Sequence, residues 1–311
     1  MPGSRLFQRN RALGYVSNHV PAAVRYIRRR KENVIVTCIG RLFHTYSCNH
    51  FRLICVSGLH PDEITCIASD NYVVYSASAK KIYAWRSGNV IKHIYEGHKR
   101  DVHLLLPFGE HLISVDEDSN VKVWHIKSAT EYLDLEFNNT DFKISAVMHP
   151  PTYLNKILFG SEQGRLQLWN LKDCKLIHTF AELGSKIVVL TAAPAVDVAA
   201  IGLTNGEIIL LNLKYDERIM EFKQDWGPVT GISFRTDGYS IMATSSTNGN
   251  VVFWNLDERK IESQLVAHDK SVTTTHCLPN EPLLFTTSPD NSMKLWIFDL
   301  PDGGARLLRI S

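Results

Sequence analysis

The chain has 311 residues, 44% of them hydrophobic, which is enough for a sizeable core and more than one average domain needs. No apolar run approaches the roughly 20 residues that cross a bilayer; the longest, "LTAAPAVDVAAIGL" at 190–203, is shorter and carries Asp197. Net charge is only +2, yet residues 1–31 hold eight basic side chains and no acid, leaving 26 basic against 32 acidic residues beyond them. Such asymmetry points to a polyanionic partner at the N-terminal end.

In chain order, residues 1–10 read as a flexible basic tail, and no apolar run follows them to make a secretory signal. "ALGYV" (12–16) reads as a strand without a blade of its own. "AAVRYI" (22–27), "NVIVTCI" (33–39) and "RLFHTY" (41–46) are three further strands. Between the first two lies "RYIRRRKEN" (25–33), where Arg28, Arg29, Arg30 and Lys31 form a loop and Arg25 sits on the strand before it. A basic turn can simply keep a strand edge from aggregating. It can also contact phosphates, and with no interleaved aromatic residues such binding tolerates any base sequence.

From there one phrase recurs. "VKVWHI" (121–126), "RLQLWNL" (165–171) and "NVVFWNL" (250–256) align on their Trp, and four more segments fall into register. The anchors are Tyr46, Trp85, Trp124, Trp169, Leu211, Trp254 and Trp296, spaced by 39, 39, 45, 42, 43 and 42 residues. Side chains three and one positions before each anchor are apolar, with Thr45 the exception. That period-2 alternation marks a strand. Turns rich in Gly, Asn and Asp precede these strands, as in "EDSN" (117–120), "TNG" (204–206 and 247–249) and "PDNS" (289–292). Further strands lie upstream, as in "DVHLLLPF" and "HLISV", and downstream, as in "CKLIHTF". Four strands per repeat, seven repeats and no helical period predict an all-β fold, a seven-bladed propeller with four antiparallel strands per blade over residues 11–298. Blades stack on both faces, so strands such as "EIILL" need not alternate. Residues 12–16 are expected to supply the outer strand of blade seven and close the ring, with residues 299–311 a tail.

Six cysteines (Cys38, Cys48, Cys55, Cys66, Cys174 and Cys277) form no C-x-x-C pair and suit reduced thiols. His44, Cys48, His50 and Cys55 lie close in sequence without zinc-site spacing, so no metal is expected. Nor is there a phosphate loop, H-E-x-x-H, G-x-S-x-G or supported carboxylate pair, so neither catalysis, a cofactor nor a small-molecule substrate is expected.

The repeat also resembles the WD-repeat family. "EGH" (96–98) and "AH" (267–268) match its Gly-His, and "SPDNSMKLW" (288–296) its Ser-x-Asp…Trp. The resemblance implies a hydrogen-bonded tetrad of His268, Ser288, Asp290 and Trp296 inside one blade. In another, His98, Asp118 and Trp124 match, with Asp116 where the Ser should be, and Trp226 takes the Gly-His position of "DWGPV". These are blade-packing positions, so His268, Ser288 and Asp290 read as structural rather than as a hydrolase triad.

Whole phrases go further. "RALGYVSNHVPAAVRYI", "GHKRDVHLLLPFGEHLISVDEDSNVKVWHI" and "DWGPVTGISFRTDGYSIMATSSTNGNVVFWNLDERK" resemble the N-terminal propeller of the WD repeat-containing protein 36 family, also called the U-three small-nucleolar-RNA-associated protein twenty-one family. The similarity runs from about Arg11 to Trp296. It implies a nucleolar scaffold of the UTP-B subcomplex that helps assemble the small-subunit processome and process pre-rRNA. The implied partners are other UTP-B and processome proteins and pre-rRNA or U-three small nucleolar RNA, with Arg25, Arg28, Arg29, Arg30 and Lys31 the candidate RNA contacts. Family members carry a second propeller, expected to begin where "PDGGARLLRIS" stands, so the chain reads as a fragment or a short form. The alternative, a ubiquitin-ligase substrate receptor, usually shows Trp-Asp-x-Arg; Arg86, His125, Asn170, Asn255 and Ile297 follow the anchors instead.

Overall fold

The computed structural model of the protein describes residues 15–298 and 304–311. These hold seven sheets, each of four antiparallel strands taken in sequence order. First strands of neighbouring blades approach one another around the axis, so the first strand of every blade is innermost and the fourth outermost. The burial pattern follows. Second and third strands are the most covered, as in the second strand Val73–Ser78 and the third strand Leu42–Ser47. The fourth strand of blade 4, Lys175–Thr179, is exposed along its length. Because strands alternate in direction, the turns after the first and third strands emerge on one face of the ring. The second-to-third turns and the crossovers between blades emerge on the other.

The seven anchors share a backbone device. In each blade the pairing of third and fourth strands slips at the step into the anchor, from Thr45/Tyr46 in blade 1 to Leu295/Trp296 in blade 7. A bulge adds local twist, and here it turns the outer strand where the largest side chain of the third strand must be covered. Tyr46, Trp85, Trp124, Leu211, Trp254 and Trp296 are buried, while Trp169 is half-buried.

Ring closure corrects the expectation from residues 12–16. The outer strand of blade 7 is Arg306–Ile310, paired with Ser292–Ile297, so these residues are not a tail. A short local hairpin costs less closure entropy than bringing in a strand from the opposite end of the chain. Residues 1–14 lie outside the described residues, and Tyr15 and Val16 are not in a strand. The N-terminal segment does cross the seam in another way. Ser17 Oγ donates to the Ser288 carbonyl at 2.6 Å, and the Ala22 amide donates to Thr274 Oγ1 at 2.6 Å. Beneath it Ile35, Tyr46 and Cys48 of blade 1 pack with Leu278, Phe285, Met293 and Leu295 of blade 7. The ring is closed by side-chain packing, with each blade complete in itself.

Candidate functional site

The histidines come first, because a His, a hydroxyl and an Asp in contact can do chemistry. In blade 3, Trp124 Nε1 donates to Ser114 Oγ at 2.8 Å. Ser114 Oγ lies 2.6 Å from His98 Nε2, and His98 Nδ1 lies 3.2 Å from Asp116 Oδ2. An indole N–H can only donate and a carboxylate can only accept. The chain therefore has one polarity: Trp124 to Ser114, Ser114 to His98 Nε2, and His98 Nδ1–H to Asp116. Burial lowers the pKa of His98, which keeps the ring neutral as that polarity requires. Asp116 and Ser114 thus fill the roles expected of Asp118 and of Asp116, and the tetrad of this blade is complete.

Blade 7 repeats it with one correction. Trp296 Nε1 donates to Thr286 Oγ1 at 3.0 Å, and His268 bridges Thr286 at 2.8 Å and Asp290 at 2.9 Å. The tetrad hydroxyl is Thr286, not Ser288, whose own Oγ accepts from the Asp290 amide at 3.2 Å. Strand register explains the choice. Trp296 pairs with Leu284, and its indole reaches the side chain two residues further along that strand. The same offset finds Ser76 in blade 2, Ser114 in blade 3 and Thr244 in blade 6.

In blade 2, His60 Nδ1–H donates to the Arg41 carbonyl at 3.0 Å in place of an Asp. In blade 6 the imidazole position is filled by Gln224, not Trp226. Gln224 Oε1 accepts from Thr244 at 3.1 Å, and its Nε2 donates to the Gly227 carbonyl at 3.1 Å. An amide carries one acceptor and one donor group, as a neutral imidazole does. The networks are closed to solvent: Ser114 and Thr286 have no exposed surface, so neither hydroxyl can meet a substrate.

The basic segment is divided by the fold. Arg28, Arg29, Arg30 and Lys31 are exposed on the tight turn joining the first two strands of blade 1. The Arg30 amide donates to the Ile27 carbonyl at 3.0 Å, and Lys31 takes a positive φ of 51°. Arg25 is separate: it pairs with Val34 inside the sheet and is buried. Its guanidinium pKa is lowered by burial, partly offset by the fields of Asp70 and Cys55. The fold therefore splits the expected RNA-contacting group into four residues on an exposed turn and Arg25 buried in the sheet. His44, Cys48, His50 and Cys55 do not converge. His44 Nδ1 pairs with the Tyr46 hydroxyl at 2.9 Å, and among the described residues no three His, Cys, Asp or Glu side chains have metal-holding geometry.

Seven four-stranded blades, four of them braced through a Trp, a hydroxyl and a His or Gln, define a WD-repeat β-propeller. The sequence profile "WDR36/Utp21 first beta-propeller" matches residues 35–299, and the chain belongs to that family. It is 47% identical to human "WD repeat-containing protein 36" over 98% of its length. It is 40% identical to the Schizosaccharomyces pombe "U3 small nucleolar RNA-associated protein 21 homolog" over 98%, and 30% identical to its Saccharomyces cerevisiae counterpart over 95%. The chain spans about a third of each relative, 34%, 34% and 32%. Among solved structures, the computationally designed Ika8 protein superposes with a TM-score of 0.69 at 18% identity, over 86% of this chain and 81% of that one. That likeness concerns the fold alone.

Proposed function

We propose that this propeller is a non-catalytic scaffold in ribosome biogenesis, acting in the nucleolus in assembly of the small-subunit processome and processing of pre-rRNA. The observation that carries this reading is likeness along nearly the whole chain to relatives, two of which are named for association with U3 small nucleolar RNA. Burial of the His and hydroxyl networks supports a non-catalytic role. The exposed turn Arg28–Lys31 supports direct phosphate contact, since four cations stand together there.

Affinity purification of the tagged chain from nuclear extract tests the scaffold. Recovery of U3 small nucleolar RNA with processome proteins is expected; recovery of a ubiquitin-ligase adaptor, or of neither, defeats it. A salt titration on single-stranded RNA tests the turn. Four phosphate contacts give a slope of about −2.8 in log affinity against log salt, from roughly −0.7 per contact. Changing Arg28, Arg29 and Lys31 together to Glu should abolish binding with the fold intact. Equal slopes for variant and parent remove the turn from the reading.

A further inference from the structure

A cleft opens between blades 1 and 2 on the face that carries the basic turn, and it encloses about 420 Å³. Two polar side chains in its lining are buried and unsatisfied. Arg25 is 8% exposed, and its Nε and Nη1 have no hydrogen-bond partner. Thr45 is 2% exposed, and its Oγ1 has none either. Buried polar groups are satisfied in the great majority of cases, so two orphans lining one cleft form a donor set waiting for an acceptor. The nearby carboxylate does not serve. Asp70 is engaged by the Tyr72 and Val73 amides at 2.6 and 2.7 Å and by the Tyr75 hydroxyl at 3.0 Å.

The charged side chains that line the cleft are all basic. Arg30, Arg86 and Lys92 line it, and among the described residues none of them has an ion-pair partner. Tyr72, 75% exposed, stands beside them, and Ile27, Ile54 and Val73 give the walls apolar surface. A glycine packs tightly against two residues of the cleft wall. A Cβ at Gly88 would lie 2.4 Å from Cys55 Sγ and 3.3 Å from Thr45 Oγ1, and its φ of +80° disfavours any side chain.

We propose that this cleft is a docking pocket for an anionic side chain, a carboxylate or a phosphorylated residue, carried by a peptide segment of a partner protein. A side chain is a single charge on an apolar stem, and it can pass the isoleucine and valine walls to reach Arg25. An RNA phosphate would draw its charged neighbours against those walls and towards Asp70. The docked anion accepts a charge-assisted bond from Arg25 and one from the Thr45 hydroxyl, and is steered by Arg30, Arg86 and Lys92. The exposed turn contributes Arg30 to the cleft, whereas Arg28, Arg29 and Lys31 do not line it, and the peptide proposal needs none of those three.

The test measures fluorescence anisotropy of three labelled probes on the 311-residue chain. They are a peptide of alternating glutamate and leucine, the same peptide with phosphoserine for glutamate, and an oligouridylate of equal length. At least one peptide should bind the parent, and the arm that binds more tightly tells carboxylate from phosphate. Arg25→Met should weaken that peptide by roughly tenfold or more, as loss of a charged hydrogen bond implies. Arg86→Glu should weaken it too, without touching the buried floor. Combined Arg28→Glu and Arg29→Glu should leave it unchanged. Arg25→Met should also melt higher than the parent, because a buried cation whose Nε and Nη1 have no hydrogen bond is removed. The proposal is overturned if neither peptide binds the parent, if Arg25→Met and Arg86→Glu bind as the parent does, if Arg25→Met melts lower, or if only the oligouridylate depends on Arg25.

Discussion

Blade 3 and blade 5 solve one packing problem in opposite ways. Blade 3 places Trp124 on its third strand and threads a polar chain through Ser114, His98 and Asp116. Blade 5 puts Leu211 at the anchor and Ile201 where the hydroxyl would stand. Both pack with Phe180, Leu183 and Leu203 in an all-apolar cluster. Yet the two share the four-stranded sheet, and both have the bulge at the anchor. The polar tetrad is therefore not what makes a blade. The bulge and the apolar flanks of the anchor do that, and the tetrad fixes a Trp that would otherwise bury an unsatisfied N–H. Blade 4 shows an intermediate: Phe159 fills the hydroxyl position, and Trp169 Nε1 donates to Gln167 Oε1 of its own strand at 2.9 Å.

The largest effect that tests this contrast comes from the anchors. Trp124→Ala should cost about 3–5 kcal/mol and Leu211→Ala about 2–5 kcal/mol, the ranges for buried aromatic and aliphatic truncation. Chemical denaturation measures both. If Leu211→Ala proves negligible, the apolar blade is not held by its anchor and the equivalence of the two designs fails.

Next comes the polar chain itself. Asp116→Ala leaves the His98 Nδ1–H buried without its acceptor, and should cost about 1–3 kcal/mol. Gly202 locates the counterpart in blade 5, where a Cβ would come within 2.7 Å of Val229 in blade 6. That blade is fitted by shape, so its weak point is added volume: Gly202→Ala should also destabilise, by about 1–3 kcal/mol. A neutral Gly202→Ala measured in the same denaturation series would show that apolar blades are loosely packed.

A pH titration sharpens the comparison, because the polar networks of blades 2, 3 and 7 each contain a histidine. Burial lowers the His60 pKa to about 4, against hydrogen bonding from its backbone partner, and lowers those of His98 and His268 as well. Above about pH 6.5, the unfolded value, both states are neutral and stability is flat. Below it the unfolded chain takes up protons that the folded rings refuse. Stability should then fall by about 1.4 kcal/mol per pH unit for each histidine, and for His60 the fall ends near pH 4 where the folded ring protonates. For Asp116 and Asp290 burial acts upward, but hydrogen bonds and the facing His outweigh it and lower both pKa values. Their contribution is present above about pH 4 and is lost only as pH falls through the folded values. His60→Gln, which copies Gln224, should keep the network and remove one histidine's share of the slope in melting curves taken across this range. An unchanged slope would mean that His60 is not the buried neutral ring described.

Much of this was legible beforehand. Anchor spacing and period-2 flanks gave seven blades because both depend on local sequence. Ring closure was not legible, because the "RLLRI" stretch at 306–310 is short and exposed and carries no alternating apolar face. Arg25 is placed on a strand by the sequence yet still counts among five candidate RNA contacts, because strand burial depends on the neighbouring blade. The cleft residues Arg25, Arg86 and Lys92 are far apart in sequence and meet only when blades 1 and 2 stack. What could have been found is the tetrad hydroxyl. Counting back through the hairpin from each Trp identifies it, whereas the Ser-x-Asp pattern points two residues too far along the same strand.

That misassignment supplies the smallest and most discriminating prediction. Ser288 and Thr286 are both fully buried on the second strand of blade 7, two residues apart and on the same face. Thr286 Oγ1 accepts from Trp296 and bonds to His268, so Thr286→Val strands two buried partners at constant volume and should cost about 1–3 kcal/mol. Ser288 Oγ only accepts from the Asp290 amide at 3.2 Å, while its backbone carbonyl, untouched by mutation, takes the bond from Ser17. Ser288→Ala removes one weak contact at the end of a turn and should cost at most about 0.5–1 kcal/mol. Thermal unfolding of the two variants ranks them directly. If Ser288→Ala is the more damaging, the hydroxyl is chosen by motif rather than by register. Strand pairing would then no longer explain why Ser76, Ser114, Thr244 and Thr286 occupy one position in four blades.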